Sequence, residues 1–199
     1  MRIGERGYIP SDEDILRCRR RTIAVSQQIF DVKGHKHKLK VYDIGGQIKL
    51  RRKWLYYFDD IDAILFVVAI SDFDMPMEED FTKNRLEDSR NVFRDIVRNV
   101  YLQDKNIILF LNKCDLLKEK IDKADLSKFP IFSGFSGEKN YKNCSNYLKN
   151  IFQQESSDKQ RSIVAHFTTA IDKNLMKTVL DEVRKSIIEE NLRGIQIIN

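Results

Sequence analysis

Asn106-Ile107-Ile108-Leu109-Phe110-Leu111-Asn112-Lys113-Cys114-Asp115 is an apolar run that breaks abruptly into polar and charged residues. Near-continuous apolarity is the pattern of a strand buried on both faces, and Ala63–Ile70 repeats it. Such strands belong to parallel sheets covered by helices, where ligands gather at the carboxyl ends of the strands. Outward from this run, amphipathic segments alternate with apolar ones. Asn84–Tyr101 sets Phe93, Ile96, Val97 and Val100 on one helical stripe. Leu175–Leu192 does the same with Met176, Val179, Leu180, Val183 and Ile187, starting near Asp172 and ending near Gly194 as a C-cap. Lys139–Phe152 reads as a third helix and Ser162–Thr168 as a short strand. Ile23–Phe30 and His37–Asp43 read as an antiparallel hairpin turning at Lys33-Gly34-His35-Lys36. The rhythm predicts an α/β fold with a mainly parallel sheet flanked by helices, one domain over residues 1–199. Neither an internal repeat nor an interdomain linker interrupts it.

The composition bounds the class. Hydrophobic residues make up 42% of the 199, charged residues 33%, and prolines number three, which fits a globular chain that can bury a core. A net charge of +5 permits anionic partners without selecting one. Cys18, Cys114 and Cys144 are widely spaced without a C-x-x-C, which points to a reducing compartment and away from a zinc site. No apolar stretch approaches the roughly 20 residues that span a bilayer. The opening residues show neither a signal segment nor a myristoylation start, so the expectation is a cytoplasmic protein that meets a membrane only through partners.

Four motifs carry chemistry. In Asn112-Lys113-Cys114-Asp115 a carboxylate at a strand's end can accept both the ring N–H and the exocyclic amine of guanine, a pair adenine does not offer. The Lys113 stem would lie along the base plane and Asn112 would tie loops together. Asp43-Ile44-Gly45-Gly46-Gln47 ends another apolar run. Asp43 there can face Mg²⁺, Gly46 can turn its N–H onto an anionic oxygen, and Gln47 can orient a water. Taken alone, the same five residues equally suit a tight strand-to-helix turn. Arg17-Cys18-Arg19-Arg20-Arg21-Thr22 reads either as a solvated basic loop or as an arginine and a hydroxyl placed for phosphate and metal. No stacking aromatics accompany the basic run, so a nucleic-acid module is not expected. Thr168-Thr169-Ala170 offers backbone N–H groups to a guanine carbonyl oxygen.

In this order the motifs resemble the α subunit of heterotrimeric G proteins, and the likeness extends over essentially all 199 residues. Asp14–Thr22 is similar to that family's first switch, Lys53-Trp54 to its second-switch helix, and Ala69–Asp74 with Asn84-Arg85-Leu86 to the flanks of its third. The resemblance implies a Ras-like, P-loop NTPase-type fold and a GTP/GDP switch downstream of G-protein-coupled receptors. It implies Arg19 and Gln47 as catalytic residues and Thr22 and Asp43 as Mg²⁺ ligands. Nucleotide contacts would come from Leu16, Arg17, Cys18, Arg19, Arg20, Arg21, Thr22, Asp43, Ile44, Gly45, Gly46 and Gln47. Asn112, Lys113, Cys114, Asp115 and Ala170 would complete them. Implied partners are the βγ dimer, a receptor, and effectors or regulators at the inner face of the plasma membrane.

The chain also departs from the family. Ile23, Ala24, Ile48, Leu50 and Ile171 stand where the family usually carries other residues. None of the eight glycines precedes a lysine, so G-x-x-x-x-G-K-[ST] does not occur in these residues. The fold expected is therefore the family's without its P-loop, first strand and first helix. That strand would lie between Lys38–Tyr42 and Ala63–Ile70, and its loss would leave backbone groups unpaired at about 1–3 kcal/mol each. GTP affinity is expected to fall far below that of a complete α subunit. The alternative expectation is a nucleotide-incompetent module that only binds βγ, receptor or effector, or an incomplete gene model.

Overall fold

The structure is a computed structural model and describes residues 4–18, 22–31, 38–156 and 163–196. The chain divides into two compact units, Met1–Asp60 and Ile61–Asn199.

In the first unit, helix α1 (Asp12–Arg17) opens with a capping box. The Asp14 N–H donates to Ser11 Oγ at 3.3 Å while the Ser11 N–H donates to Asp14 Oδ2 at 2.8 Å. Strands β1 (Ser26–Asp31) and β2 (Lys38–Asp43) pair antiparallel, Ser26 opposite Asp43 and Asp31 opposite Lys38. The expected hairpin is present; its turn at Lys33–Lys36 lies outside the described residues. Beyond Asp43 the backbone bends through Ile44–Gly46 into the one-turn helix α2 (Ile48–Arg51) and a 3₁₀ turn, Trp54–Tyr57. Tyr57 packs on Tyr42 with ring centroids 5.1 Å apart, fastening that turn to β2.

In the second unit, β3 (Ala63–Ala69), β4 (Asn106–Asn112) and β5 (Val164–Phe167) form a parallel sheet in the order β3-β4-β5. Ala69 pairs with Asn112 and Leu111 with Phe167, so the three carboxyl ends share one rim. Around the sheet stand α3 (Arg85–Val97), α4 (Cys114–Ile121), α5 (Tyr141–Gln153) and α6 (Lys173–Gln196). The Asn84 side chain starts α3 by accepting from the Leu86 and Glu87 N–H groups, and Asp172 starts α6 by accepting from Asn174 and Leu175. Among the described residues no helix is long and apolar enough to cross a membrane.

The core explains the order of the elements. On one face, Phe66, Phe93 and Phe152 form a ring chain with centroids 5.0 and 5.7 Å apart, joining β3, α3 and α5. On the other, Ile108 and Phe110 of β4 pack against Val179 and Val183 of α6. Strand β4 is thus buried on both faces, as its composition predicts. Strand β3 is not: Leu65 and Val67 are 44% and 54% exposed. The cause is position, because β4 is the central strand of the three, β3 lies at an edge, and α6 packs mainly over β4.

Other boundaries differ from expectation for local reasons. Helix α3 ends at Val97, so Val100 falls into a 3₁₀ turn and is exposed while Leu102 takes the buried place. On α6, Val179 and Val183 hold the apolar stripe and Leu180 is turned outward. Gly194 does not cap that helix, which continues to Gln196.

Candidate functional site

The rim of the parallel sheet gathers one group of motif residues. Where β4 ends, Lys113 takes the left-handed conformation, φ 63° and ψ 41°, and α4 begins at Cys114. A lysine there costs roughly 1–2 kcal/mol, so the surrounding contacts must hold it. They are numerous. The Cys114 N–H donates to Thr168 O at 3.2 Å and the Thr168 N–H to Leu111 O at 2.9 Å, lacing the β4 and β5 ends together. Asn112 Oδ1 accepts from the Ala170 N–H at 3.0 Å and from Thr168 Oγ1 at 3.2 Å. Asn112 therefore ties the two loops, and the Ala170 N–H is engaged by that side chain rather than left open.

The remaining two residues of the motif face differently. Cys114 is buried, with Sγ 3.2 Å from Leu111 O, and burial pushes its thiol above the ordinary range. Its side chain packs into the interior at the start of α4. Asp115, in the first turn of α4, is half-buried, and its carboxylate has no hydrogen-bond or ion-pair partner among the described residues. A half-buried carboxylate without a protein partner is ready to accept from a ligand's N–H groups.

The first unit holds the second group. Asp43 is exposed at the end of β2, Ile44 and Gln47 are half-buried, and Gln47 stands at the N-cap of α2. The two glycines between them are not equivalent. A Cβ on Gly45 would stand 2.6 Å from Thr22 O and 2.4 Å from Leu50 Cδ1, and Gly45 O accepts from Trp54 Nε1 at 3.1 Å. Around Gly46 nothing lies within 4 Å of such an atom, and its carbonyl accepts from Arg51 Nε at 3.0 Å. Gly45→Ala is therefore expected to destabilise this unit by about 1–3 kcal/mol, since backbone must move. Gly46→Ala should stay within about 0.5 kcal/mol of the parent. Denaturant titration of both variants checks the contrast, and equal losses would contradict it.

Thr22 is half-buried, Cys18 is exposed at the end of α1, and Leu16 and Arg17 lie within α1. Arg19, Arg20 and Arg21 lie outside the described residues. Among the described residues no cluster of three His, Cys, Asp or Glu side chains could hold a metal by itself. A hydroxyl and a carboxylate, Thr22 and Asp43, are nonetheless the hard oxygen donors Mg²⁺ takes, and that ion commonly keeps few protein ligands alongside waters and substrate phosphates.

Reading from sequence missed the neighbours that brace the rim. Ser71 and Asp72 are buried in the 3₁₀ segment Ile70–Asp74 that extends β3, and Arg85 and Lys113 both reach Asp72. Asp72 belongs to a motif already singled out, yet nothing in the sequence names its partners.

On β5, burial holds His166 below its ordinary value of 6.5, partly offset by the nearby Glu182 carboxylate. As pH falls through 6.5 the unfolded chain gains a proton that the folded chain resists, so stability is lost on acidification. Melting temperatures between pH 7.5 and 5.5 should fall more steeply for the parent than for His166→Gln. Parallel profiles would contradict this.

Comparison with known proteins supplies the context for these two groups. The family model described as G-protein alpha subunit matches residues 1–187. The guanine nucleotide-binding protein alpha-9 subunit of Dictyostelium discoideum is 42% identical over 192 residues, covering 96% of this chain and 55% of that protein. The G(o) subunit alpha of Lymnaea stagnalis is 38% identical over 193 residues, 97% of this chain and 53% of its own length. That of Caenorhabditis elegans is 39% identical over 193 residues, with the same coverage. The chain thus spans about half the length of the curated relatives it matches.

Proposed function

The chain belongs to the G-protein α-subunit family, and from that premise we propose that it reads guanine nucleotides as part of a GTP/GDP switch. The observation that carries the reading is the β4 rim. Asp115 presents a partnerless carboxylate beside Asn112, which is locked to Thr168 and Ala170, and beside Lys113, which is held in a strained conformation. A guanine edge offers two N–H donors to one carboxylate, and an adenine edge leaves that carboxylate unsatisfied. Lys113 would lie along the base, and Ala170 would flank it on the β5 loop.

The other family roles fall to the first unit. Asp43 and Thr22 would hold Mg²⁺, which when bound neutralises phosphate charge. Gly46, with open space at its α-carbon, lets its N–H approach a terminal phosphate oxygen. Gln47 would orient the attacking water and Arg19 would contact the transferring phosphoryl group. Partners in this reading are a βγ dimer, a receptor and effectors or regulators, met at the inner face of the plasma membrane.

The base-reading part is testable without hydrolysis. Fluorescent GDP bound to the 199-residue chain should be displaced by GDP at concentrations at least about 100-fold lower than by ADP, given two hydrogen bonds to a charged acceptor at about 1.5 kcal/mol or more each. Equal displacement by GDP and ADP would sink the proposal.

A further inference from the structure

Lys113 is the one non-glycine residue with positive φ among the described residues, and its ammonium has a fixed partner. Nζ lies 3.3 Å from Asp72 Oδ1. Asp72 is 8% exposed. Its second oxygen is held by Arg85 Nη1 at 3.2 Å, and Ser71 Oγ donates to the first at 3.2 Å. One helical stretch further on, Lys120 Nζ is 2.6 Å from Asp74 Oδ1 and donates to Ser71 O at 3.0 Å. Helix α4 is thus fastened at both ends to the segment that extends β3. Arg85 also reaches Glu78 Oε1 at 3.4 Å, so the loop before α3 holds the same arginine.

An untethered lysine side chain loses much of its rotamer freedom when a ligand immobilises it. A lysine already drawn to a buried carboxylate has lost that freedom before the ligand arrives, which favours binding through preorganisation. The arrangement suits a stem that must lie flat along a base while its charge is anchored beyond the base's edge. We propose that Asp72 is a positioning residue for base recognition, acting through Lys113 with Arg85 as its brace. This inference rests on the guanine-reading function proposed above.

A double-mutant cycle on the full chain, read by GDP titration, tests it. Asp72→Asn and Lys113→Ala should each weaken GDP binding by about tenfold. The double variant should bind no worse than Lys113→Ala alone, because the contact is already gone. If Asp72→Asn weakens binding equally in both backgrounds, Asp72 has only a structural role and the inference falls. Lys113→Met keeps the apolar stem and drops the tether at a half-exposed site, so it carries the test where Asp72→Asn melts early. It should lose affinity to the extent that Asp72→Asn does, and parental affinity would overturn the tether. The two readings fail separately. If Lys113→Ala leaves GDP affinity unchanged, the base site itself falls and this inference with it. If Lys113→Ala weakens binding and Asp72→Asn does not, only the role of Asp72 is lost.

Discussion

Asp115→Asn is expected to reverse the base preference of this chain rather than merely weaken it. The carboxylate accepts from two donors on a guanine edge. An asparagine offers one acceptor and one NH₂, so its amide meets one of the guanine donors head on. Loss of a charge-assisted bond and a repulsive pairing together should lower GDP affinity by about 100-fold. Xanthine carries a carbonyl where guanine carries the amine, so the same asparagine pairs with it on both positions. XDP should therefore displace fluorescent nucleotide from Asp115→Asn better than GDP does, and worse than GDP from the parent. Asp115 sits in the first turn of α4 without a protein partner among the described residues, so the substitution should leave the melt unchanged. A variant that keeps its GDP preference would remove Asp115 from the base site.

The second large effect concerns stability. Glu155, just past α5, has a side chain 6% exposed and is held from α3 by Arg90 Nε at 2.6 Å and, more loosely, by Arg98 Nη2 at 3.6 Å. Arg98 Nε also donates to Glu155 O at 3.1 Å. The two ends of this pair are not equally costly to remove. Arg90→Ala leaves a buried carboxylate with one long contact, which should destabilise the second unit by about 3 kcal/mol. Glu155→Ala leaves two arginines that are 37% and 52% exposed and can turn to water, so its cost should be nearer 2 kcal/mol. Urea titrations of the two variants read the difference. Both falling within about 0.5 kcal/mol of the parent would show that α3 and α5 are held by the Phe93–Phe152 packing alone.

What could be read from sequence follows from what each signal depends on. The β4 run was legible because both its faces are covered, so its composition carries the whole environment. The same composition in β3 misled, since burial there depends on which strand is central and which lie at the edges, a property of the assembled sheet. Helix α4 went unread because eight residues after a motif are too few to establish a periodicity. Gly45 and Gly46 are identical neighbours in sequence, yet one is pressed against Thr22 and Leu50 and the other faces open space. The motif residues Asn112, Lys113, Cys114 and Asp115 were found by pattern, but their braces were not. Asp72 and Lys113 are 41 positions apart, and Arg90 and Glu155 are 65 apart. Such pairs exist only once parallel strands and helices have been brought side by side.

The central claim is that the β4 rim recognises a guanine base, and amide chemical shifts measured while GDP is added to the chain test it most directly. Lys113, Asp115 and Ala170 should shift progressively with GDP, with Asn112 beside them, while ADP at equal concentration leaves them in place. Shifts of the same size with both nucleotides, or GDP shifts confined to residues away from this rim, would contradict it.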